Sequence, residues 1–165
     1  MKTYVLTVSR YFPTTHKRKG EETFFIDRIL AGQTIYSNMW KKIHTIRANY
    51  ELWAKRIKDV KEGKAILSIR YWSGKPYNSK QVEVCQLDKN SGCGVQKVTF
   101  EDELKWGYIE IHPELAKMKP IPIFEDGRIS GIAKNDGLSL EDFKEWFKNY
   151  DLKPMAIIHF THFRY

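Results

Sequence analysis

Three residue types able to do chemistry fall together in Lys42-Ile43-His44-Thr45-Ile46-Arg47. Lys42 offers an amine, Thr45 a hydroxyl and Arg47 a rigid guanidinium fork suited to two-point contacts. Such a set could hold a phosphate, a carboxylate or the carbonyl of a base. In an extended chain alternate residues share a face, so Thr45 and Arg47 are expected to point the same way. Lys42 begins on the other face. A bend at the start of the strand would let its long stem reach the same site. His44, inside the motif, is a further candidate ligand contact.

The elements that must position this stretch follow from local patterns. Residues 3–9 alternate, through Tyr4, Leu6 and Val8, and read as a strand. A basic loop follows, with Arg10 and then His16-Lys17-Arg18-Lys19-Gly20. The spacing predicts a helix over 22–31, where Phe25 with Ile29, and Ile26 with Leu30, recur four apart and Gly32 is the stop. Asn49 caps a second helix over 50–61, with Trp53, Ile57 and Val60 on its core face and Lys55, Arg56, Lys58 and Lys61 on its basic face. Strands are expected over 64–72, 80–87, 95–100 and 106–111. Short turns join them, which favours an antiparallel meander or small barrel. Pro113, Pro120 and Pro122, then Gly127 and Gly131, break the pattern over 113–131. Ser139 with Asp142 forms a capping box before a helix over 140–149 with Leu140, Phe143 and Phe147 inward. Residues 155–165 close as a strand.

The 165 residues, 42% apolar and 14% aromatic, fit a single domain spanning 1–165 that packs a core without staples. A formal net charge of +8 favours anionic partners, nucleic acid first. Cys85 and Cys93 match no zinc-ligand spacing and read as free thiols in a reducing compartment. No apolar run approaches the ~20 residues of a membrane span, and no leader pattern stands at the start. The expectation is a cytoplasmic protein without a membrane association. His159 and His162, three apart in an extended segment, face opposite sides, so no shared metal is expected. No phosphate loop, dinucleotide fingerprint or Gly-x-Ser-x-Gly elbow occurs, and no cofactor is indicated.

The order of these motifs resembles the ASCH domain family, a branch of the PUA-like superfamily. Ile29-Leu30-Ala31-Gly32 matches the family's helix ending in Gly, and Lys42-x-x-Thr45-x-Arg47 its signature. Gly63 precedes the strand Ala65-Ile66-Leu67 as the family's Gly does. Ala133-Lys134-Asn135-Asp136-Gly137-Leu138-Ser139, followed by Glu141-Asp142-Phe143, is similar to its late acidic motif and capped helix. The resemblance runs from about residue 22 onward. It implies an α+β fold, a small, mostly antiparallel PUA-like β-barrel with flanking helices. Two departures are plain. Residues 33–41 are an insertion between Gly32 and Lys42. Asp136 stands where family amidohydrolases have Glu, about 1.5 Å shorter in reach.

The resemblance implies two functions. The first is binding of RNA or a modified nucleotide, with Lys42, Arg47 and His44 on the ligand. Trp40 and Trp72, with Tyr71 and Tyr77, supply stacking faces, and Lys17, Arg18, Lys19, Lys55 and Arg56 follow the phosphate backbone. The second is a small amidohydrolase that deacylates N4-acylated cytidine-type nucleosides. There Thr45 is the nucleophile, Lys42 the base, and Asp136 the acid or the group that orients the amine. Arg47 or backbone N–H groups stabilise the oxyanion.

Overall fold

The fold is a computed structural model that describes residues 1–34, 38–110 and 119–165. Among these residues eight strands and four α-helices follow in the order β1 (Lys2–Thr7), α1 (Phe25–Gly32), β2 (His44–Ala48), α2 (Tyr50–Lys61), β3 (Ala65–Trp72), β4 (Gln81–Leu87), β5 (Gly94–Glu101), β6 (Trp106–Glu110), β7 (Ile121–Phe124), α3 (Ser130–Asn135), α4 (Leu140–Phe147) and β8 (Met155–His159). A single π-helical turn, Glu125–Ile129, leads into α3. Ile111 and Pro113 lie outside the described residues.

The chain is α+β, with two mostly antiparallel sheets. One has the order β1-β3-β4 and the other β2-β8-β5-β6-β7. Among the described residues no backbone ladder joins them, so the strands do not close into one hydrogen-bonded barrel. The expected meander holds for β3-β4 and for β5-β6 but breaks between β4 and β5, which lie in different sheets; β7, which the local pattern does not predict, adds to β6. The meander also fails at β1, which lies parallel to β3 with Lys2 opposite Ala65. It fails again at β8, which enters between β2 and β5.

The five-stranded sheet separates two cores. Ile46, Val98, Ile109 and Ile157 pack on one side with Phe143 and Phe147 of α4. Ala156 and Ile158 pack on the other side with Leu6, Leu67, Trp53 and Ile57. Every residue of β8 is buried, because it is covered on both faces. A strand so placed reads as a continuous apolar run rather than an alternating one.

Local chemistry sets several boundaries. α1 begins three residues later than its periodicity predicts. Thr23 turns its hydroxyl onto the carbonyls of Ser9 and Arg10, and Phe24 adopts a left-handed backbone. Gly32 belongs to α1, which Gln33 caps. Phe25 and Ile29 are core, whereas Leu30 is exposed. α2 matches its predicted span, and the Asn49 side chain accepts from Leu52 N. Ser139 accepts from Asp142 N at the start of α4, which ends at Phe147, two residues early. β8 ends at His159 rather than running to Tyr165. Cys85 and Cys93 are free thiols, and burial raises both, Cys85 to about 11.

Candidate functional site

The Lys-x-x-Thr-x-Arg stretch divides between two faces. The backbone of Lys42 and Ile43 is pinned from three elements before β2 starts. Lys42 N–H donates to Arg28 O of α1, and Ile43 N–H to Asn135 O of α3. Ile43 O accepts from Phe160 N–H, just beyond β8. A Cβ on Gly32 would stand 3.0 Å from Lys42 O, so the helix end and Lys42 touch backbone to backbone despite the insertion between them. The pinning turns Lys42 towards α3. Its ammonium donates to Asp136 Oδ1 at 2.7 Å and to Asp136 O at 2.5 Å. It also lies 4.1 Å from the centre of the Phe25 ring. Gly137 makes room for the lysine stem. It has φ 78°, and a Cβ there would be 3.1 Å from Lys42 Cβ.

Lys42 is 0% exposed. Burial lowers its pKa to about 8, against the opposing pull of Asp136. Burial acts upward on Asp136, but the adjoining Lys42 and His44 outweigh it and hold the carboxyl below its usual range. His44 shares this side. Its Nδ1 stands 3.5 Å from Asp136 Oδ1, an electrostatic approach rather than a hydrogen bond. Its Nε2 is 2.7 Å from the Tyr165 hydroxyl, which also accepts from Asn135 Nδ2 at 3.0 Å. One assignment suits all of these contacts. Asn135 donates to the phenol, the phenol donates to His44 Nε2, and His44 Nδ1–H faces Asp136.

His159 lies opposite His44 in the ladder, with ring centres 5.6 Å apart. It is fully buried, and neither of its ring nitrogens has a hydrogen-bond partner. Such a group typically costs about 1–3 kcal/mol of stability. Among the described residues no cluster of three or more His, Cys, Asp or Glu fits a metal ion.

Thr45 and Arg47 face away from this cluster. Thr45 is buried opposite Ile158, on the other side of the sheet from His44. Arg47 spans the gap between the sheets. It donates to Thr7 O of β1 at 2.6 Å and to Ile46 O at 3.1 Å, with no ion pair to Asp136. The amine, hydroxyl, guanidinium and carboxylate therefore do not converge. Lys42 and Asp136 meet in the buried interior, and Arg47, though near enough for its charge to act on Lys42, is bonded to Thr7 and Ile46 instead.

Arg47 instead lines a cleft of about 1050 Å3 at the open end of the gap, with Thr7, Arg10, Trp72, Tyr77 and Lys153. The Trp72 and Tyr77 rings lie 5.3 Å apart at 49°, and Tyr77 is 87% exposed. Arg10, Arg47 and Lys153 bring three cations to the lining, which among the described residues has no carboxylate. Arg10 and Lys153 carry the weakest sequence signal, a lone charge in a loop. Only the approach of three distant segments makes them a set.

The other expected contacts are placed elsewhere. Trp40 is 38% exposed, donates to Lys134 O and stacks under Arg28. It borders a smaller pocket of about 340 Å3 that also holds Lys17, Arg18, Glu141 and Asp142. Four of these charges are paired. Lys17 meets Glu141, and Arg18 donates to Asp142 at 2.7 Å and Glu21 at 2.7 Å. Lys19 and Lys55 are exposed, whereas Arg56 lies over the rings of Tyr4 and Trp53. No described helix is long and apolar enough to cross a membrane. Comparison with protein-family models, with curated proteins and with solved structures gives no match to this chain.

Proposed function

We propose that the protein binds single-stranded nucleic acid, RNA first, in the cleft between its two sheets. The observation that carries this reading is the lining of that cleft: three cations, a paired Trp72 and Tyr77, and no carboxylate among the described residues. Cations along a groove with aromatic faces beside them are the ingredients of single-strand binding. A base would stack on Trp72 or Tyr77 while Arg10, Arg47 and Lys153 meet phosphates. On this reading the chain is an ASCH-like, PUA-like module whose barrel is opened at the seam between β1 and β2. Its free cysteines suit a reducing, cytoplasmic setting.

Deacylation of an N4-acylated cytidine is the second reading. It rests on the Lys42–Asp136 pair and on the lowering of Lys42 to about 8, which suits a general base. It requires Thr45 to reach that pair from the opposite face of β2, and for that reason it ranks second.

The test uses a fluorescein-labelled ten-nucleotide single-stranded RNA and anisotropy at 50 and 200 mM salt. The wild type is expected to bind, and more weakly at the higher salt. Trp72→Ala is expected to cost about 1–3 kcal/mol, the usual worth of one stacked base. Binding equal in the wild type, Trp72→Ala and Arg10→Ala would refute the cleft. Acetate released from N4-acetylcytidine by the wild type, and lost in Lys42→Ala, would favour the deacylase.

A further inference from the structure

One face of the five-stranded sheet carries aromatic rings into solvent. Along β5, Val98 and Phe100 enter the core, so Lys97, Thr99 and Glu101 point the other way. The ladder sets three rungs on that face. Lys97 stands opposite Glu110. Thr99 stands opposite Tyr108, with Pro122 beyond, and Glu101 opposite Trp106, with Phe124 beyond. α2 meets the first rung, where the Lys97 ammonium lies 5.6 Å from the centre of the Tyr50 ring. On the other two rungs Phe124 is 57% exposed and Tyr108 36%, Pro122 is exposed and Trp106 is half-buried. The Trp106 and Tyr108 rings meet edge to face, 5.3 Å apart at 81°. Behind them the strands are pressed together, since a Cβ on Gly107 would fall 2.3 Å from Thr99 O. Three rings and a proline thus share one firm, flat surface.

Exposed apolar patches of this kind mark interaction surfaces. The charges around the rings choose the partner. Lys97 is paired with Glu110 at 3.1 Å, and Lys105 with Asp102 at 3.2 Å. Glu101 and the exposed Glu103 have no ion pair among the described residues. In a chain of net charge +8 this end is acidic, so it repels phosphate and favours a cation. Strand addition at the sheet edge is disfavoured too, because Pro122 on the edge strand β7 has no N–H to give. A polyproline II segment suits the face itself. With three residues per turn it lays two of every three against a flat surface, and its carbonyls are free to accept. Among the described residues the Trp106 indole N–H and the Tyr108 hydroxyl have no hydrogen-bond partner, so both are available as donors to those carbonyls. Aromatic-lined surfaces hold proline-rich segments in this way. We propose that the rungs of Tyr108 and Trp106 dock a proline-rich segment of a partner protein in the polyproline II conformation, with a Lys or Arg of that segment at Glu101.

This platform shares no lining residue with the cleft at Trp72, and either can fail without the other. The test uses a fluorescein-labelled peptide of eight prolines followed by two arginines, read by anisotropy. Two control peptides replace alternate prolines by glycine, or the arginines by glutamates. The wild type is expected to bind the first peptide saturably and more tightly than either control. Tyr108→Ala and Phe124→Ala, both at exposed rings, are each expected to weaken that binding about tenfold, as truncated interface anchors do, with the urea midpoint unchanged. Glu101→Gln is expected to weaken it up to about fivefold and to narrow the preference over the glutamate peptide. Trp72→Ala is expected to leave peptide binding as in the wild type. No binding by the wild type, equal binding of the glycine control, or equal affinity in Tyr108→Ala and Phe124→Ala would overturn the proposal. So would binding of the ten-nucleotide RNA that is lost in Tyr108→Ala and kept in Trp72→Ala, which would make the face a base-stacking surface. A wild-type dimer in sedimentation that Phe124→Ala dissolves would make it a contact between copies of this chain, and would overturn the proposal equally.

Discussion

One ammonium and one imidazole are buried within a few ångströms of one carboxylate, a second imidazole, His159, packs against the first, and the balance of their charges decides how the protein meets acid. Lys42 keeps Asp136 charged, so the site already holds one cation for one anion. A second positive charge there has no partner. His44 and His159 accordingly have their pKa values pushed down by burial, His159 to about 2, with His44 itself adding to that depression. In the unfolded chain both return to about 6.5. Below that pH the unfolded chain takes up protons that the folded chain refuses, so the share of stability set by these two histidines is full above about pH 6.5 and is lost as the pH drops. Each such imidazole steepens the loss by up to about 1.4 kcal/mol per pH unit. The urea midpoint is therefore expected to fall between pH 7 and pH 5.5, and His159→Leu to flatten that fall. A wild-type midpoint that is level across this range would contradict the assignment of neutral, buried histidines.

Between β1 and β2, which share no ladder among the described residues, Arg47 forms a side-chain link. Arg47 donates across the gap to Thr7 O, a charge-assisted bond in the place where backbone N–H groups would serve in a closed sheet. Arg47→Met is expected to lose about 1.5–3 kcal/mol, the range for a hydrogen bond to a charged group. Amide exchange read by mass spectrometry should then quicken in β1 and β2 and stay level in β5 and β6. Equal protection in all four strands would remove the bridging role. Much of this layer was legible in the sequence. The span of α2 follows from Asn49 and from the spacing of Trp53, Ile57 and Val60. The start of α4 follows from Ser139 and Asp142. Other features depend on distant partners. No local pattern says that β1 is parallel to β3, because alternation fixes a face and not a neighbour. α3 was hidden because Gly127 precedes it and Gly131 lies within it, both poor helix formers, and its place is secured by Ile132 and Ala133 buried in the core. The direction of Lys42 was also out of reach. It stands outside the regular strand, and contacts from Arg28, Asn135 and Phe160 fix its neighbourhood. The meeting of Lys42 with Asp136 was anticipated only through the family resemblance, and the separation of Thr45 and Arg47 from them was not.

At the scale of the whole molecule, a net charge of +8 attracts polyanions without choosing a site. Salt dependence distinguishes a cleft from a general attraction. If the three cations of the cleft make the phosphate contacts, the slope of log K against log salt should be about −2, at about 0.7 per contact for a single strand. A slope near −5 would bring in other cations, such as Lys19 and Lys55, and would turn the proposal from a groove to a surface. The sheets also join segments far apart in sequence, with residues 44–48 against 155–159 and residues 2–7 against 65–70.

The place of β8 bears on how the chain is made. It lies between β2 and β5, yet it leaves the ribosome long after both. Until it arrives, β2 and β5 have bare edges turned towards each other, and the apolar side chains of both cores stay wet. Such edges invite pairing with other chains. Vectorial synthesis therefore delivers an inner strand of this sheet after its neighbours, and a pause in translation before residue 155 would hold it at its stickiest.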